Sequence, residues 1–262
     1  MLEILSEIRF EVAIALPIWL LTLLIPFRRM DTKAEIGWDL FAVLCAYVFA
    51  VVASELLYLP ADWVTANIDR WYESLERRPM WLIVPCYIVT ADFLLYWAHR
   101  LLHTTWLWPT HAFHHSAKHL YVISGLRASP IHVLLLLTPY VIAFVLFPVP
   151  EAGLTGIALM ALQLANQHYI HSNIQIPWAS AIEKIFVTPR FHFVHHSSTI
   201  RLSNSNYGFL FSVWDRLFGT YTDPGIISPD DELGLNYENS RWRLLLGLAP
   251  ASRKSQPERQ AE

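Results

Sequence analysis

Residues 92–103 read Asp-Phe-Leu-Leu-Tyr-Trp-Ala-His-Arg-Leu-Leu-His, and they close an apolar run that begins at Met80. Asp92 is the only charged side chain in that run before His99. His99 and His103 stand four residues apart, which places both imidazoles on one face of a helix. The run is long enough to cross a bilayer. The stretch therefore predicts a membrane helix that ends in a pair of candidate metal ligands.

Three further histidine clusters follow this helix, and two of them repeat one pattern. Residues 111–115 read His-Ala-Phe-His-His, and residues 192–196 read His-Phe-Val-His-His. On a helix, positions i, i+3 and i+4 share a face, so each cluster can present its imidazoles to one point. A third cluster places His168 and His171 three residues apart. Two copies of the five-residue pattern exceed what chance explains, and imidazole is a standard ligand of iron and zinc.

The number of imidazoles predicts two metal ions in a site made almost entirely of histidine. Ten of the 12 histidines lie in the four clusters, whereas one ion takes about four to six ligands. Cys45 and Cys86 lie inside apolar runs and are expected to pack as small apolar side chains. No Glu-x-x-His pair is present for a carboxylate-bridged site. The two remaining histidines, His119 and His132, receive no assigned role.

Composition and apolar runs predict an all-α integral membrane protein. Hydrophobic residues make up 54% of the 262 residues and charged residues 16%, against about 45–50% and about 25% in average soluble domains. The formal net charge of −3 leaves no basic excess for phosphates, so no nucleic-acid partner is expected. We predict about three spans and a helical hairpin, formed by Phe10–Phe27, Trp38–Leu59, Met80–Ala98, and the pair Ile131–Pro150 and Leu154–Ile170 with a turn at Glu151 and Gly153.

This topology predicts that all four clusters reach one membrane face. The first cluster ends the third span, the second follows it, and the third ends the hairpin, while the fourth lies in the polar segment after Ser172. We therefore expect a helical, histidine-rich metal-binding layer that caps one face of the bundle. Arg28, Arg29 and Lys33 flank the first span on that side, which favours a cytoplasmic histidine face. The membrane would be the inner membrane of a bacterium or the endoplasmic reticulum of a eukaryote.

Other classes of metal protein fit parts of this pattern. A transporter places its ionisable ligands near the middle of its spans, whereas these clusters lie at span ends and in polar segments. A zinc hydrolase needs a general-base glutamate beside its ligands, and a bis-histidine haem protein needs one pair per haem. The chain shows no flavin or nicotinamide fingerprint and no CxxCH haem-attachment motif. Electrons for redox chemistry must therefore come from a separate protein.

The motifs resemble those of the fatty acid hydroxylase superfamily, in particular its sterol desaturase branch. The matching stretches, in order, are DFLLYWAHRLLH, HAFHHS, IHSNIQIPW, TPRFHFVHHS, NYGF and WDRLFGTY, and they cover about residues 80–222. The resemblance implies a membrane-bound oxygenase with two non-haem iron ions. It would use O2 to hydroxylate, or desaturate, a C–H bond of a lipid. Sterols, fatty acyl chains, sphingoid bases, ether lipids, carotenoids and ornithine lipids all stay open as substrates.

The resemblance also assigns the metal ligands by position. They are His99, His103, His111, His114, His115, His171, His192, His195 and His196. His168 is a further candidate, because three residues on a helix leave its side chain about 60° from that of His171. Asp92 shares a helical stripe with His99 and His103, so we predict that its carboxylate orients a ligand histidine.

Other polar residues are expected to support the site from outside. Asn206 lies in a turn that, by the resemblance, packs beside the last cluster. Asp215 either orients a histidine or pairs with Arg216 or Arg190. Arg127 precedes a predicted span and is expected as a charge at the membrane interface.

The motifs divide the chain into three regions. Residues 1–79 form N-terminal membrane helices and a connecting loop, residues 80–222 form the catalytic domain, and residues 223–262 form a partly disordered C-terminal extension. The expected partners are membrane lipids, a lipid substrate, O2 and an external electron-transfer protein.

Overall fold

The computed structural model describes residues 2–149 and 153–251. In these ranges the regular elements are helices, and the β-bridges are isolated residue pairs that form no strand. The α-helices are α1 Leu2–Leu24, α2 Ile36–Thr65, α3 Asp69–Glu76, α4 Met80–Leu102, α5 Trp108–His111, α6 Pro130–Leu146, α7 Leu154–Ile170, α8 Ala179–Ile182, α9 Pro189–His195, α10 Ile200–Ser203, α11 Val213–Leu217 and α12 Arg241–Leu245. Short 3-10 turns lie at His114–Ser116, Ser124–Leu126 and Pro224–Ile226. The described chain is all-helical, as the sequence predicts.

Two of the described helices, α2 and α4, are long and apolar enough to cross a membrane. At about 1.5 Å per residue, their 30 and 23 residues extend about 45 Å and about 35 Å, against about 30 Å of hydrocarbon. Helix α6 is apolar but has 17 residues. The length and apolar composition of these helices indicate a membrane protein. The five predicted runs overlap α1, α2, α4, α6 and α7 in order, with some of their ends displaced.

The long helices pack as one bundle around α6. Helix α6 lies against α2 and α4, and α1 lies against α7. A core cluster joins Tyr87 and Ala91 of α4 to Ala143 of α6 and Leu159 of α7. Of the predicted hairpin turn, Glu151 lies outside the described residues, whereas Gly153 precedes α7 with a φ of 122° that favours glycine.

The helix ends that carry the histidine clusters meet at one end of this bundle. Phe27, just after α1, packs against Phe193 of α9 with ring centroids 5.4 Å apart. Asp39, near the start of α2, pairs with Arg127, just before α6. Helix α4 ends at the first cluster and α7 ends at His171. Residues 103–129 and 171–251 cover this end of the bundle, and we call them the cap.

Two apolar cores hold the cap together and attach it to the bundle. One lies around α9 and contains Phe193 and Leu233. The other joins Leu244 of α12 to Phe113 in the cap and to Ala42 of α2. The C-terminal region is therefore packed into the protein as far as it is described. The tail 252–262, which the sequence predicts to be disordered, lies outside the described residues.

Arg127 is a buried structural charge and not the interface charge that its position predicts. Its side chain is 4% exposed. The guanidinium donates to Asp39 at 2.5 Å and to Glu35 at 3.2 Å, and the hydroxyl of Tyr121 donates to the same Asp39 carboxylate. The prediction was wrong because the partners come from the start of α2, 88 residues away in the chain. A charge this deeply buried needs such partners.

Candidate metal centre

Local sequence signals place the histidines at helix ends beside the cap. Helix α9 begins with Thr188, whose hydroxyl caps a backbone N–H of the first turn, and with Pro189 at the first helical position. This short helix carries His192. The other copy of the pattern is not one regular helix, because His111 ends α5 and His114 begins a 3-10 turn. The repeat in sequence is therefore not a repeat in secondary structure.

The structure brings the nine candidate ligands that the family resemblance selects into two buried groups. Within each group the candidate ligand atoms all lie within 4.8 Å of one another. The first group contains His99, His103, His111, His115 and His195. The second group contains His114, His171, His192 and His196. Among the described residues these groups contain histidine alone, as expected for an all-imidazole site.

Each copy of the repeated pattern divides its rings between the groups, whereas the sequence predicts that one cluster faces one point. In the first copy, His111 and His115 belong to the first group and the middle ring, His114, belongs to the second. In the second copy, the outer rings His192 and His196 belong to the second group and the middle ring to the first. The two copies therefore interlock, and neither group can form from one motif.

The ring nitrogens within each group approach one another closely. In the second group, Nε2 of His171 lies 3.1 Å from Nε2 of His114 and 2.9 Å from Nε2 of His192. In the first group, Nε2 of His99 lies 3.1 Å from Nε2 of His111. The second group thus brings the Nε2 atoms of His114, His171 and His192 together, and the first group brings together those of His99 and His111.

Backbone carbonyl oxygens hold the outer nitrogens of several rings. Nδ1 of His99 donates to the carbonyl of Tyr207 at 2.9 Å, and Nδ1 of His171 donates to the carbonyl of Gln167 at 2.8 Å. Equivalent bonds join His114 to Arg127 at 3.3 Å and His195 to Ser205 at 2.8 Å. Because a carbonyl oxygen only accepts, each neutral ring carries its proton on Nδ1 and its lone pair on Nε2. This is the tautomer that binds a metal ion through Nε2.

Burial keeps these rings neutral and leaves their lone pairs facing each other. Burial, reinforced by the neighbouring rings, lowers the pKa well below its ordinary value in His111, His114, His115, His192, His195 and His196. It lowers the pKa of His171 to about 3. Nε2 of His114 and Nε2 of His171 both lack a proton to share, so a cation between them would replace repulsion with attraction. The donor set therefore fits one metal ion in each group.

Asp215 supports the first group through the backbone. Its buried carboxylate accepts the N–H of Tyr207 at 2.8 Å, the N–H of Gly208 at 2.7 Å and the hydroxyl of Thr220 at 2.6 Å. Because the carbonyl of Tyr207 holds His99, Asp215 fixes the turn that orients this ring. Burial raises the pKa of Asp215 to about 6. The sequence left a histidine contact and an arginine pair open, and the structure shows backbone amides in their place.

The carboxylate of Asp92 contacts a cap loop, whereas the sequence predicts that it orients a ligand histidine directly. Its carboxylate accepts the backbone N–H of Leu210 at 2.7 Å, the backbone N–H of Phe211 at 3.1 Å and the indole N–H of Trp214 at 2.8 Å. The predicted stripe along α4 exists, but a cap loop covers its Asp92 end. Asp92 therefore anchors the loop that follows the Tyr207 turn, and it does not hold a ring directly.

Asn206 packs beside the last histidine cluster, as the resemblance implies. It adopts a left-handed φ of 57°, which asparagine tolerates better than most residues. Its side-chain amide donates to the carbonyl of Phe191 at 3.3 Å and to that of Thr222 at 3.0 Å. Asn206 thus connects the segment at Thr222 to helix α9.

Three histidines lie outside both groups. Nε2 of His168 is 3.3 Å from a carboxylate oxygen of Glu11 on α1, so the structure does not bring this candidate to the other ligands. His119 also joins neither group. His132 is buried, and its Nδ1 lies 3.1 Å from Nδ1 of His111. The position of His132 at the start of an apolar run is the only signal in the sequence, and it predicts no role for this residue.

An apolar cavity of about 350 Å³ opens between the helices of the bundle beside the histidines. Tyr47 of α2 and Leu136 of α6 are among its lining residues. Its lining also includes His132 and Gly125. A Cβ on Gly125 would lie 2.4 Å from Cγ of His171, so only a glycine allows this close approach. The cavity offers space for an apolar ligand next to the two histidine groups.

The chain belongs to the fatty acid hydroxylase family. The family model described as fatty acid hydroxylase matches residues 84–220, a range that contains both histidine groups. This match confirms the resemblance that the sequence motifs indicate. No solved structure shows a significant match to the chain.

The relatives of the chain include enzymes with lipid substrates in their names. An ornithine lipid hydroxylase of Rhizobium tropici is 34% identical over 186 residues, which cover 70% of this chain and 54% of the relative. Alkylglycerol monooxygenase of Homo sapiens is 31% identical over 134 residues, 50% of this chain and 28% of the relative. A very-long-chain aldehyde decarbonylase of Oryza sativa subsp. japonica is 24% identical over 209 residues, 74% of this chain and 29% of the relative. The chain spans about half or less of these relatives.

Proposed function

We propose that this protein is a membrane-bound, non-haem di-iron oxygenase that hydroxylates a C–H bond of a lipid, with desaturation as the alternative outcome. The observation that carries the proposal is the pair of buried histidine groups, in each of which the candidate ligand nitrogens lie within 4.8 Å of one another. Family membership supports the oxidoreductase class, as do a hydroxylase and a monooxygenase among the relatives. The role in the cell would be lipid biosynthesis or lipid modification.

Two iron ions would be held by the nine imidazoles, one ion in each group. Bound iron supplies the reductive activation of O2 that attack on an unactivated C–H bond requires. The chain's own contribution is a neutral ligand set, which leaves the positive charge of the metal largely uncompensated. Carbonyl groups such as that of Tyr207 hold the rings in the coordinating tautomer. An external electron-transfer protein would deliver the electrons, because the sequence has no flavin or nicotinamide fingerprint.

The substrate we propose is a lipid whose apolar chain enters the cavity in the bundle. The cavity is lined mainly by apolar side chains and lies beside His132 and Gly125, next to both histidine groups. Walls of this kind exclude water from the reacting carbon. An ornithine lipid and an alkylglycerol, named in two relatives, both fit a substrate with a long apolar chain.

For the topology we propose three crossings, α1, α2 and α4, followed by a hairpin of α6 and α7, with the cap in the cytoplasm. Arg28 follows α1 at the cap end and donates to the carbonyl of Asp231 at 2.8 Å. Trp71 of α3 donates to the carbonyl of Leu146, which marks the opposite end of α6. Lysine and arginine residues are more numerous at the cap end than at the opposite end, which carries Arg70, Arg77 and Arg78, and this difference favours the orientation. A reporter fused after Glu262 should be active in the cytoplasm, and a periplasmic or lumenal signal would reverse the orientation.

Lipid mass spectrometry under ¹⁸O2 tests the proposed activity. Cells that produce the wild-type protein are compared with cells that produce His192→Ala, which lacks one ring of the second group. With the wild type, we expect one lipid class to gain the mass of one ¹⁸O atom, or to lose two hydrogens if the reaction is desaturation. The variant should give neither product. Unchanged lipids in wild-type cells whose purified protein contains iron would reject the proposal.

A further inference from the structure

One outer nitrogen of the first histidine group faces another histidine instead of an oxygen. Nδ1 of His111 lies 3.1 Å from Nδ1 of His132. The outer nitrogens of His99 and His195 face carbonyl oxygens, and Nδ1 of His103 faces the side-chain oxygen of Asn204 at 3.2 Å. The support of His111 therefore differs in kind, because an imidazole nitrogen can either donate or accept.

His132 is held firmly in the position that makes this contact. His132 is 4% exposed, and its ring centroid is 4.7 Å from that of His111. Ser129 caps the start of α6 by accepting the N–H of His132 at 3.4 Å. The same hydroxyl donates to the carbonyl of Thr110 at 2.6 Å. The segment before His132 is therefore attached to the residue that precedes His111.

The direction of the contact between His132 and His111 depends on what occupies the first group. The carbonyl of Tyr207 fixes the proton of His99 on Nδ1, so Nε2 of His99 can only accept. In the metal-free group, Nε2 of His111 can donate to it at 3.1 Å. Nδ1 of His111 then has no proton and must accept a hydrogen bond from His132.

A metal ion on Nε2 of His111 requires the opposite arrangement. The proton of His111 then lies on Nδ1, which must donate, and Nδ1 of His132 must accept. A carbonyl oxygen supports only this second state, whereas an imidazole supports both by changing tautomer. In the second group, His114 and His171 both face carbonyl oxygens, so that pair of rings has no corresponding metal-free hydrogen bond.

We propose that His132 is a positioning residue of the first metal group, which reverses its hydrogen bond with His111 when the metal ion binds. This inference rests on the proposed metal centre. It gives His132 two effects. His132 donates to His111 in the empty group and accepts from it in the filled group, and the second bond is the stronger because a bound cation makes the Nδ1 proton of His111 a better donor. Partners of this kind typically change metal affinity by about 10–100-fold when they are removed.

Metal titration of matched variants tests this role. His132→Leu keeps a side chain of similar reach but provides no acceptor, whereas His132→Asn keeps a polar atom near the position of Nδ1. The purified, metal-free full-length proteins are titrated with Co²⁺, whose visible absorption reports the ligand geometry. His119→Leu is the control, because His119 belongs to neither group.

We expect the wild type to bind two Co²⁺ ions and His132→Leu to bind one of them about 10–100-fold more weakly. His132→Asn should recover most of the lost affinity, and His119→Leu should match the wild type. The ion retained in the second group shows that His132→Leu is folded. Two ions bound by His132→Leu with wild-type affinity and spectrum would overturn the proposal, as would equal losses in the leucine and asparagine variants. A wild type that binds no Co²⁺ would reject the metal centre itself.

Discussion

Gly125 is the position where the smallest substitution should disturb one histidine group and spare the other. A Cβ added there would lie 2.4 Å from Cγ and 2.5 Å from Cβ of His171. Ordinary contacts of this kind begin at 3.4 Å, so the ring must move by about 1 Å to accept the methyl group. Metal sites tolerate errors of about 0.2 Å in ligand distance. Gly125→Ala should therefore detach His171 from the second group.

The assay for Gly125→Ala combines metal analysis of the purified protein with lipid product formation. We expect the metal content to fall by about half and the activity to fall about 100-fold, the typical cost of a misplacement near 1 Å. Gly37→Ala is the matched control, because a Cβ there meets no atom within 4 Å. Full metal content and full activity in Gly125→Ala would refute the packing argument, and an equal loss in Gly37→Ala would show that the effect is not local.

Further predictions concern single side chains and pH. His171→Ala should abolish activity and lower the metal content, whereas His168→Ala should keep measurable amounts of both. Equal metal loss in the two purified variants would show that both rings are ligands. Asp215→Ala leaves the buried N–H groups of Tyr207 and Gly208 without their acceptor, at about 1–3 kcal/mol each. Calorimetry should therefore show a lower Tm, and an unchanged Tm would contradict this role. The pKa of buried rings such as His111 lies well below 6.5, so the unfolded chain binds more protons at lower pH. Stability should fall as the pH decreases below about 6.5, and a urea midpoint that is equal at pH 7 and at about pH 5 would contradict this.

Histidine spacing and the family resemblance together identify the nine rings that the structure brings together. Spacing alone also keeps His168 as a candidate, and neither signal divides the rings between two groups. Helical periodicity states which side chains share a face, and it placed His111, His114 and His115 on one face. The chain changes from α5 to a 3-10 turn between His111 and His114, which directs them to different groups. Which ring lies opposite is decided by the packing of distant segments, and spacing within one motif contains no information on that.

The roles of the residues around the candidate ligands are even harder to predict from the sequence, because they depend on contacts between distant segments. Asp92 was singled out correctly as an unusual charge in an apolar helix, but its partners lie 118 to 122 residues further along the chain. His132 gave almost no signal, because its role depends on a contact with His111 across a turn. The helical class, by contrast, follows from local apolar runs, and the sequence predicted it directly.

The most direct test of the central claim is the metal content of the wild-type protein. The protein is isolated from membranes under anaerobic conditions, and its metals are counted by inductively coupled plasma mass spectrometry. The two histidine groups predict two iron ions per chain. Zinc can displace iron during isolation, since it stands above Fe²⁺ in the affinity order, so zinc is counted together with iron. Turnover supported by zinc alone would contradict the proposed iron chemistry. A single ion per chain, unaffected by His192→Ala, would contradict the two-metal centre.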